Sequence, residues 1–138
     1  MPITNLYQGF AMGKAAHVEG INNIAAGEGS HASGNMTLAL GTNATTFGFK
    51  TKASGNNSYA EGIHTIAEGA HAHAEGNSSK AIGGNSHAEG LSTEAIGNNS
   101  HTEGVETKAN AMAAHAEGYQ NKVYKVYAHA EGYNNVIG

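Results

Sequence analysis

Glycine returns at every seventh position along most of this chain: Gly13, Gly20, Gly27, Gly34, Gly41, Gly48, Gly55, Gly62, Gly69, Gly76, Gly83, Gly90, Gly97, Gly104, Gly118 and Gly132. The register lapses only at Ala111 and Lys125. Two residues before each register position stands a small residue, in most cases Ala, as at Ala32, Ala60, Ala74, Ala88, Ala95 and Ala116. Alternate heptads differ, so the true period is fourteen. One half reads His-Ala-Glu-Gly, as from His73 to Gly76, His87 to Gly90, His115 to Gly118 and His129 to Gly132. The other half is looser, as in Glu94-Ala95-Ile96-Gly97. A repeat of this regularity defines an architecture built from one stacked unit.

A seven-residue period first suggests a coiled coil. That reading fails because heptad coils need large apolar residues at two positions, whereas glycine inside a helix costs about 1 kcal/mol relative to Ala. Collagen needs glycine at every third residue, and hexapeptide and nine-residue solenoids have other periods. An all-β parallel β-solenoid of fourteen-residue coils, with two short strands per coil, remains. Strand alternation within His87-Ala88-Glu89 sends Ala88 to one face and both His87 and Glu89 to the other. Gly20, Gly34, Gly48, Gly62, Gly76, Gly90, Gly104, Gly118 and Gly132 are then expected to supply positive φ at the turn that follows. The Thr column, Thr37, Thr51, Thr65, Thr93 and Thr107, is expected to face inward with the Ala columns.

The whole chain, 1–138, reads as a single roll of about nine coils, with 1–10 as an N-terminal cap and 119–138 as irregular C-terminal coils. Stacked at about 4.8 Å, the coils make a shaft roughly 45 Å long. Its interior must be narrow. Burying an Ala methyl contributes only about 0.8 kcal/mol, against roughly 1–2 kcal/mol of backbone entropy for each ordered residue. One such roll is not expected to be stable alone, and Ile21, Phe49, Ile63, Leu91, Val105, Tyr119 and Tyr133 form an outward apolar stripe that association would bury.

Composition removes several function classes. The chain has no Cys and no Trp, and its eleven acids are all Glu and its seven bases all Lys. No disulfide, thiolate zinc site, Asp-based calcium loop or arginine clamp can be built. A net charge of −4 argues against nucleic acid as partner. No apolar run approaches the roughly 20 residues of a membrane span, so no membrane insertion is expected, and Met1-Pro2-Ile3-Thr4 does not open an export signal.

The unit Asn-Ser-His-(Ala/Thr)-Glu-Gly-x-x-Thr-x-Ala-x-(Gly/Ala), present from Asn85 to Gly97 and from Asn99 to Ala111, resembles the head repeats of YadA-like trimeric adhesins. More closely it is similar to the Ser-His-Ala-Glu-Gly variant found in tail-fibre-like proteins of phages and prophages. The resemblance covers about residues 11 to 134. It implies a left-handed roll, three chains packed side by side as a homotrimer, and a receptor-binding or spacer role.

Seven of the nine histidines occupy one column, His17, His31, His73, His87, His101, His115 and His129, with Glu61, Glu75, Glu89, Glu103, Glu117 and Glu131 in the column two residues on. Stacked coils turn these into a ladder of imidazoles beside a ladder of carboxylates. A metal column or pH sensor is one reading. A structural ladder fixing register between coils or chains is the preferred one, because catalytic and metal sites are normally made once. No metal and no cofactor are therefore assigned. His64 and His71, near His73 in sequence, read as solvated turn residues, with a local three-His site as the alternative.

Two breaks in the repeat are candidate recognition points. Phe47 and Phe49 flank Gly48 where His, Ala and Glu are expected. Tyr119, Tyr124 and Tyr127 belong to a C-terminal tyrosine cluster, suited to stacking on a sugar or to capping the roll's end. The expected function is a non-enzymatic structural or adhesive segment of a phage or prophage tail fibre, displaying or spacing a surface that meets a host-cell glycan or protein. Its expected location is the virion tail or the bacterial cell surface. The head of a bacterial surface adhesin is the alternative. A glycan-degrading tailspike module is another, but it requires two singular carboxylates that the repeat does not offer.

Overall fold

A computed structural model describes residues 9–138, and within them the fourteen-residue repeat becomes a parallel β-solenoid. The His-Ala-Glu-Gly halves form five-residue strands such as His31–Asn35, His73–Asn77, His87–Leu91 and His115–Tyr119, which stack in a nine-stranded sheet. The looser halves form two-residue strands such as Ile24–Ala25, Lys80–Ala81 and Glu94–Ala95, stacked in a ten-stranded sheet. Every pairing is parallel and offset by one repeat, so His73 lies beside His87, Ala74 beside Ala88 and Lys80 beside Glu94. The register runs unbroken to the end, where Lys122 and Val123 pair with Val136 and Ile137. The C-terminal coils expected to be irregular thus keep their spacing, although the last His strand shortens to His129–Ala130. The cap expected over 1–10 lies outside the described residues except for Gly9 and Phe10, and Phe10 already belongs to the strand Phe10–Ala11. No helix among the described residues is long and apolar enough to cross a membrane.

Each coil turns four small side chains inward. In one coil these are Ser86, Ala88, Thr93 and Ala95, all buried. The Thr column points inward as expected, with Thr37, Thr51, Thr65, Thr93 and Thr107 buried. Among the described residues the largest fully buried side chains are Val123, Asn23 and Asn121, so nothing wider than these fits between the walls. Many of the polar groups inside find partners, while the buried hydroxyls of Thr46, Thr51 and Thr102 have none. Ser30, Ser58, Ser86 and Ser100 each donate to the carbonyl three residues back at 2.6 Å. Asn23 replaces Thr near the N-terminal end: its amide donates to Glu19 O (2.6 Å) and Gly34 O (2.8 Å), and its Oδ1 accepts from Thr37 N and Oγ1 at 2.9 Å. Asn121 repeats the arrangement near the other end, donating to Glu117 O and Gly132 O. Paired in this way, these serines and asparagines avoid the desolvation penalty of orphaned groups.

All nine glycines expected to have positive φ do have it, from 96° at Gly132 to 121° at Gly34, but the corner itself lies two residues further on. Gly90 does have positive φ, 111°, but it sits inside the strand His87–Leu91, and the chain bends two residues later at Ser92, φ 56°. That corner position is filled in successive coils by Lys50, His64, Ser78, Ser92, Glu106 and Gln120, all left-handed. The opposite corner is made by Asn43, Asn57, His71, Asn85 and Asn99, also left-handed. Non-glycine residues pay roughly 1–2 kcal/mol for this conformation. Hydrogen bonds between coils hold it, as where Ser92 N donates to Asn77 O and Asn85 N to Ala70 O, both at 2.8 Å. The glycines answer a steric demand. A Cβ on Gly90 would lie 2.1 Å from the carbonyl oxygen of Gly104 in the next coil, and one on Gly83 the same distance from that of Gly97.

Candidate functional site

The outward side of the long strands carries the histidines and glutamates in adjacent columns. From His73 to His129 the imidazoles stack face to face, with centroids 4.7, 4.9, 4.7 and 4.6 Å apart and interplanar angles of 6–11°. Thr45 and Tyr59 occupy two histidine slots and split the ladder, leaving His17 and His31 as a separate pair in edge contact at 4.9 Å. Tyr59 meets His73 edge-on at 5.0 Å and donates to Glu61 at 3.2 Å. Partial burial, with Glu61 beside it, raises the Tyr59 phenol above its ordinary value.

Glu19, Glu61, Glu75, Glu89 and Glu117 each stand nearest the histidine of the next coil, whereas Glu103 makes no such pair and His115 faces Glu117 of its own coil. Glu75 lies 3.1 Å from His87 Nε2, and Glu61–His73, Glu89–His101 and Glu117–His129 lie at 3.7, 3.8 and 3.4 Å. Glu19, which the sequence reading left out of the ladder, stands 3.9 Å from His17 and 3.7 Å from His31. Its membership was legible in the run His17-Val18-Glu19-Gly20, one substitution away from the repeat. Its carboxyl is held below the ordinary value by a hydrogen bond from Ser33 and by the two imidazoles. Glu131 is exposed and joins none of these pairs. A shallow groove of about 530 Å³ runs beside the ladder, walled by Glu75, Glu89 and Glu103 and floored by Gly76, Gly90, Gly104 and Gly118.

Beyond the ladder, the apolar stripe lies on the surface: Ile21, Ile63, Leu91, Tyr119 and Tyr133 are exposed, and Phe49 and Val105 half-buried. Phe47 takes a glutamate slot and contacts His31 edge-on at 5.5 Å, while Phe49 lies under Lys50 Nζ at 5.2 Å. The tyrosines that cluster in sequence are dispersed by the fold. Tyr119 stacks on Tyr133 at 5.3 Å at the end of the long sheet, Tyr124 follows a short strand, and Tyr127 occupies the opposite corner. His64 and His71 sit at opposite corners, exposed and apart from the ladder. On the short sheet Glu94 bridges Lys108 at 2.9 Å and Lys80 at 3.6 Å, a contact the sequence reading did not single out. The Lys108 hydrogen bond holds the Glu94 carboxyl below its ordinary value.

His101 sits at the middle of the stacked run. Burial, then repulsion from His115 and His87, lowers its pKa below 6.5, against the opposing pull of Glu103 and Glu89. A depressed histidine pKa disfavours the charged form in the folded state. Its contribution to stability is therefore present above about pH 6.5 and is lost as the pH falls below that value. Melting followed by circular dichroism in the presence of chelator should give a lower midpoint at about pH 5.5 than at about pH 7.5, and His101→Gln should narrow the gap. Coincident curves for the parent would show that the glutamates neutralise the ladder.

Compared with known families and curated proteins, the chain matches no family model and no curated sequence. The parallel β-solenoid is the class that its fold defines.

Proposed function

We propose that this chain is a non-enzymatic structural or adhesive segment, a rigid left-handed homotrimeric β-roll that displays or spaces a receptor-binding surface on a phage or prophage tail fibre. One observation carries the reading. A roll whose walls are lined by Ala, Ser and Thr leaves Ile21, Ile63, Leu91, Tyr119 and Tyr133 in one outward column, 41–72% exposed, from the first coils to the last. An apolar column of this length, interrupted only at Asn35 and Asn77, marks an association face, and a straight column suits side-by-side packing of identical shafts. The resemblance of the Ser-His-Ala-Glu-Gly unit to trimeric heads and tail fibres supplies the number three and the setting. The even repetition of carboxylates from Glu61 to Glu131, each with an equivalent neighbour one coil away, supports a structural role over a glycosidase.

Light scattering tests the assembly. The expected mass is about 42 kDa, three times the 14.1 kDa chain. A folded monomer of 14.1 kDa would sink the proposal, since the stripe would then be stable in water.

A further inference from the structure

The separations between imidazole and carboxylate in the ladder are mostly too long for a hydrogen bond. His31 Nε2 lies 3.7 Å from Glu19, His115 Nε2 3.7 Å from Glu117 and His129 Nε2 3.4 Å from Glu117. Two ligands bound tetrahedrally to zinc at about 2.0–2.2 Å stand about 3.4 Å apart, at the short end of this range. The ligating atoms of three sets converge within 4.8 Å: His17, Glu19 and His31; His73, Glu75 and His87; and His115, Glu117 and His129. Each set also contains one Nε2 shielded from solvent with no hydrogen-bond partner, on His31, His73 and His115. A buried nitrogen left in this way carries a desolvation cost that a ligand would relieve.

We propose that the ladder is a linear array of divalent transition-metal sites, in which two imidazoles from successive coils and the glutamate between them take one ion. The donor set, two neutral nitrogens and one carboxylate, suits zinc, nickel or cobalt and does not suit magnesium or calcium. With the ring proton on Nδ1, each histidine turns its single Nε2 lone pair toward the glutamate column, so each can serve one ion only. The paired rings must close toward each other by on the order of 1 Å at Nε2 to reach ligand spacing, which exchanges ring stacking for coordination. Each site is completed within one chain.

This pairing has an arithmetic consequence. Five consecutive stacked histidines, His73 to His129, make two pairs and leave one over, and the three sets with two imidazoles leave out His101. His101 falls instead between Glu89 and Glu103, with one imidazole and two carboxylates, a harder and weaker set. His17 and His31 form the third pair beyond the break.

Titration calorimetry of the chelator-treated full chain with zinc chloride tests the array. The parent should bind three ions per chain tightly. His101→Gln should leave three, because both flanking pairs survive. His87→Gln and His115→Gln should each leave two, since each breaks one pair and strands a histidine. The double variant His64→Gln/His71→Gln, confined to exposed corners, should leave three. Circular dichroism of each variant in chelator confirms that it folds. The proposal is overturned if the parent binds no ion tightly, if His87→Gln and His115→Gln keep the parent count, or if the corner variant lowers it.

Discussion

Gly83→Ala should unfold the roll or sharply lower its melting midpoint, whereas Gly84→Ala, one residue further on, should melt with the parent or slightly above it. The new Cβ at position 83 would meet Gly97 O at 2.1 Å, Gly97 C at 2.4 Å and Asn98 N at 2.8 Å. All three are backbone atoms of the next coil. That coil cannot retreat, because Ile82 N donates to Ala95 O at 2.8 Å and Gly83 N to the same carbonyl at 3.3 Å. Relief requires opening the stack and losing these bonds, at about 1–3 kcal/mol for overpacking plus about 1 kcal/mol for each hydrogen bond lost. At Gly84 the nearest atom to an added Cβ is Asn98 Oδ1 at 3.6 Å, an ordinary contact. There Ala mainly reduces the freedom of the unfolded chain and stabilises by about 0.4–1 kcal/mol. Denaturant midpoints of the two variants decide the matter, and equal midpoints would mean that coil spacing does not set the glycine requirement.

Ala88→Leu should be nearly as damaging, and Ile96→Ala much less so. Ala88 is fully buried in a wall whose neighbours along the column are Ala74 and Thr102, both also fully buried. Three added carbons have nowhere to go in an interior whose widest fully buried occupants are Val and Asn, and the cost is about 1–3 kcal/mol or more. Ile96 is half-buried on the outer side of the short sheet, so its truncation leaves no closed cavity and falls toward the low end of large-to-small changes. Should Ile96→Ala melt far below the parent while Ala88→Leu melts with it, the assignment of inner and outer faces would be reversed. The contrast also reaches the ladder, because His87 and Glu89 flank Ala88 and share the opposite face.

The period, the parallel stacking of coils and the inner face were readable from amino-acid letters for a steric reason. An inward position takes Ala, Ser or Thr with an occasional Asn or Val, and a coil-to-coil contact takes Gly at all but Ala111 and Lys125, so each constraint prints a similar residue fourteen positions later. Ala88, Thr93 and Ala95 could be placed inside, and His87 and Glu89 outside, from alternation alone. Ala111 shows the limit of that legibility. There the series of donations from the register residue to the next coil, as in Gly83 to Ala95 O and Gly97 to Ala109 O, comes to an end.

What the letters did not carry was everything decided between coils. The corners are left-handed at Lys50, His64, Ser92, Glu106 and Asn99 because hydrogen bonds from neighbouring turns impose the conformation, so no residue type marks them. Glu75 pairs with His87, twelve residues on, because stacking brings the next coil's imidazole over the carboxylate. The tyrosines from 119 to 133 look like one patch in sequence and are spread around the coil, since a solenoid sends neighbouring segments to different sides. Residue identity determined what must be small and what must face out. Only the closed stack decided which outward groups meet, because those contacts join residues whose types the repeat leaves free to vary.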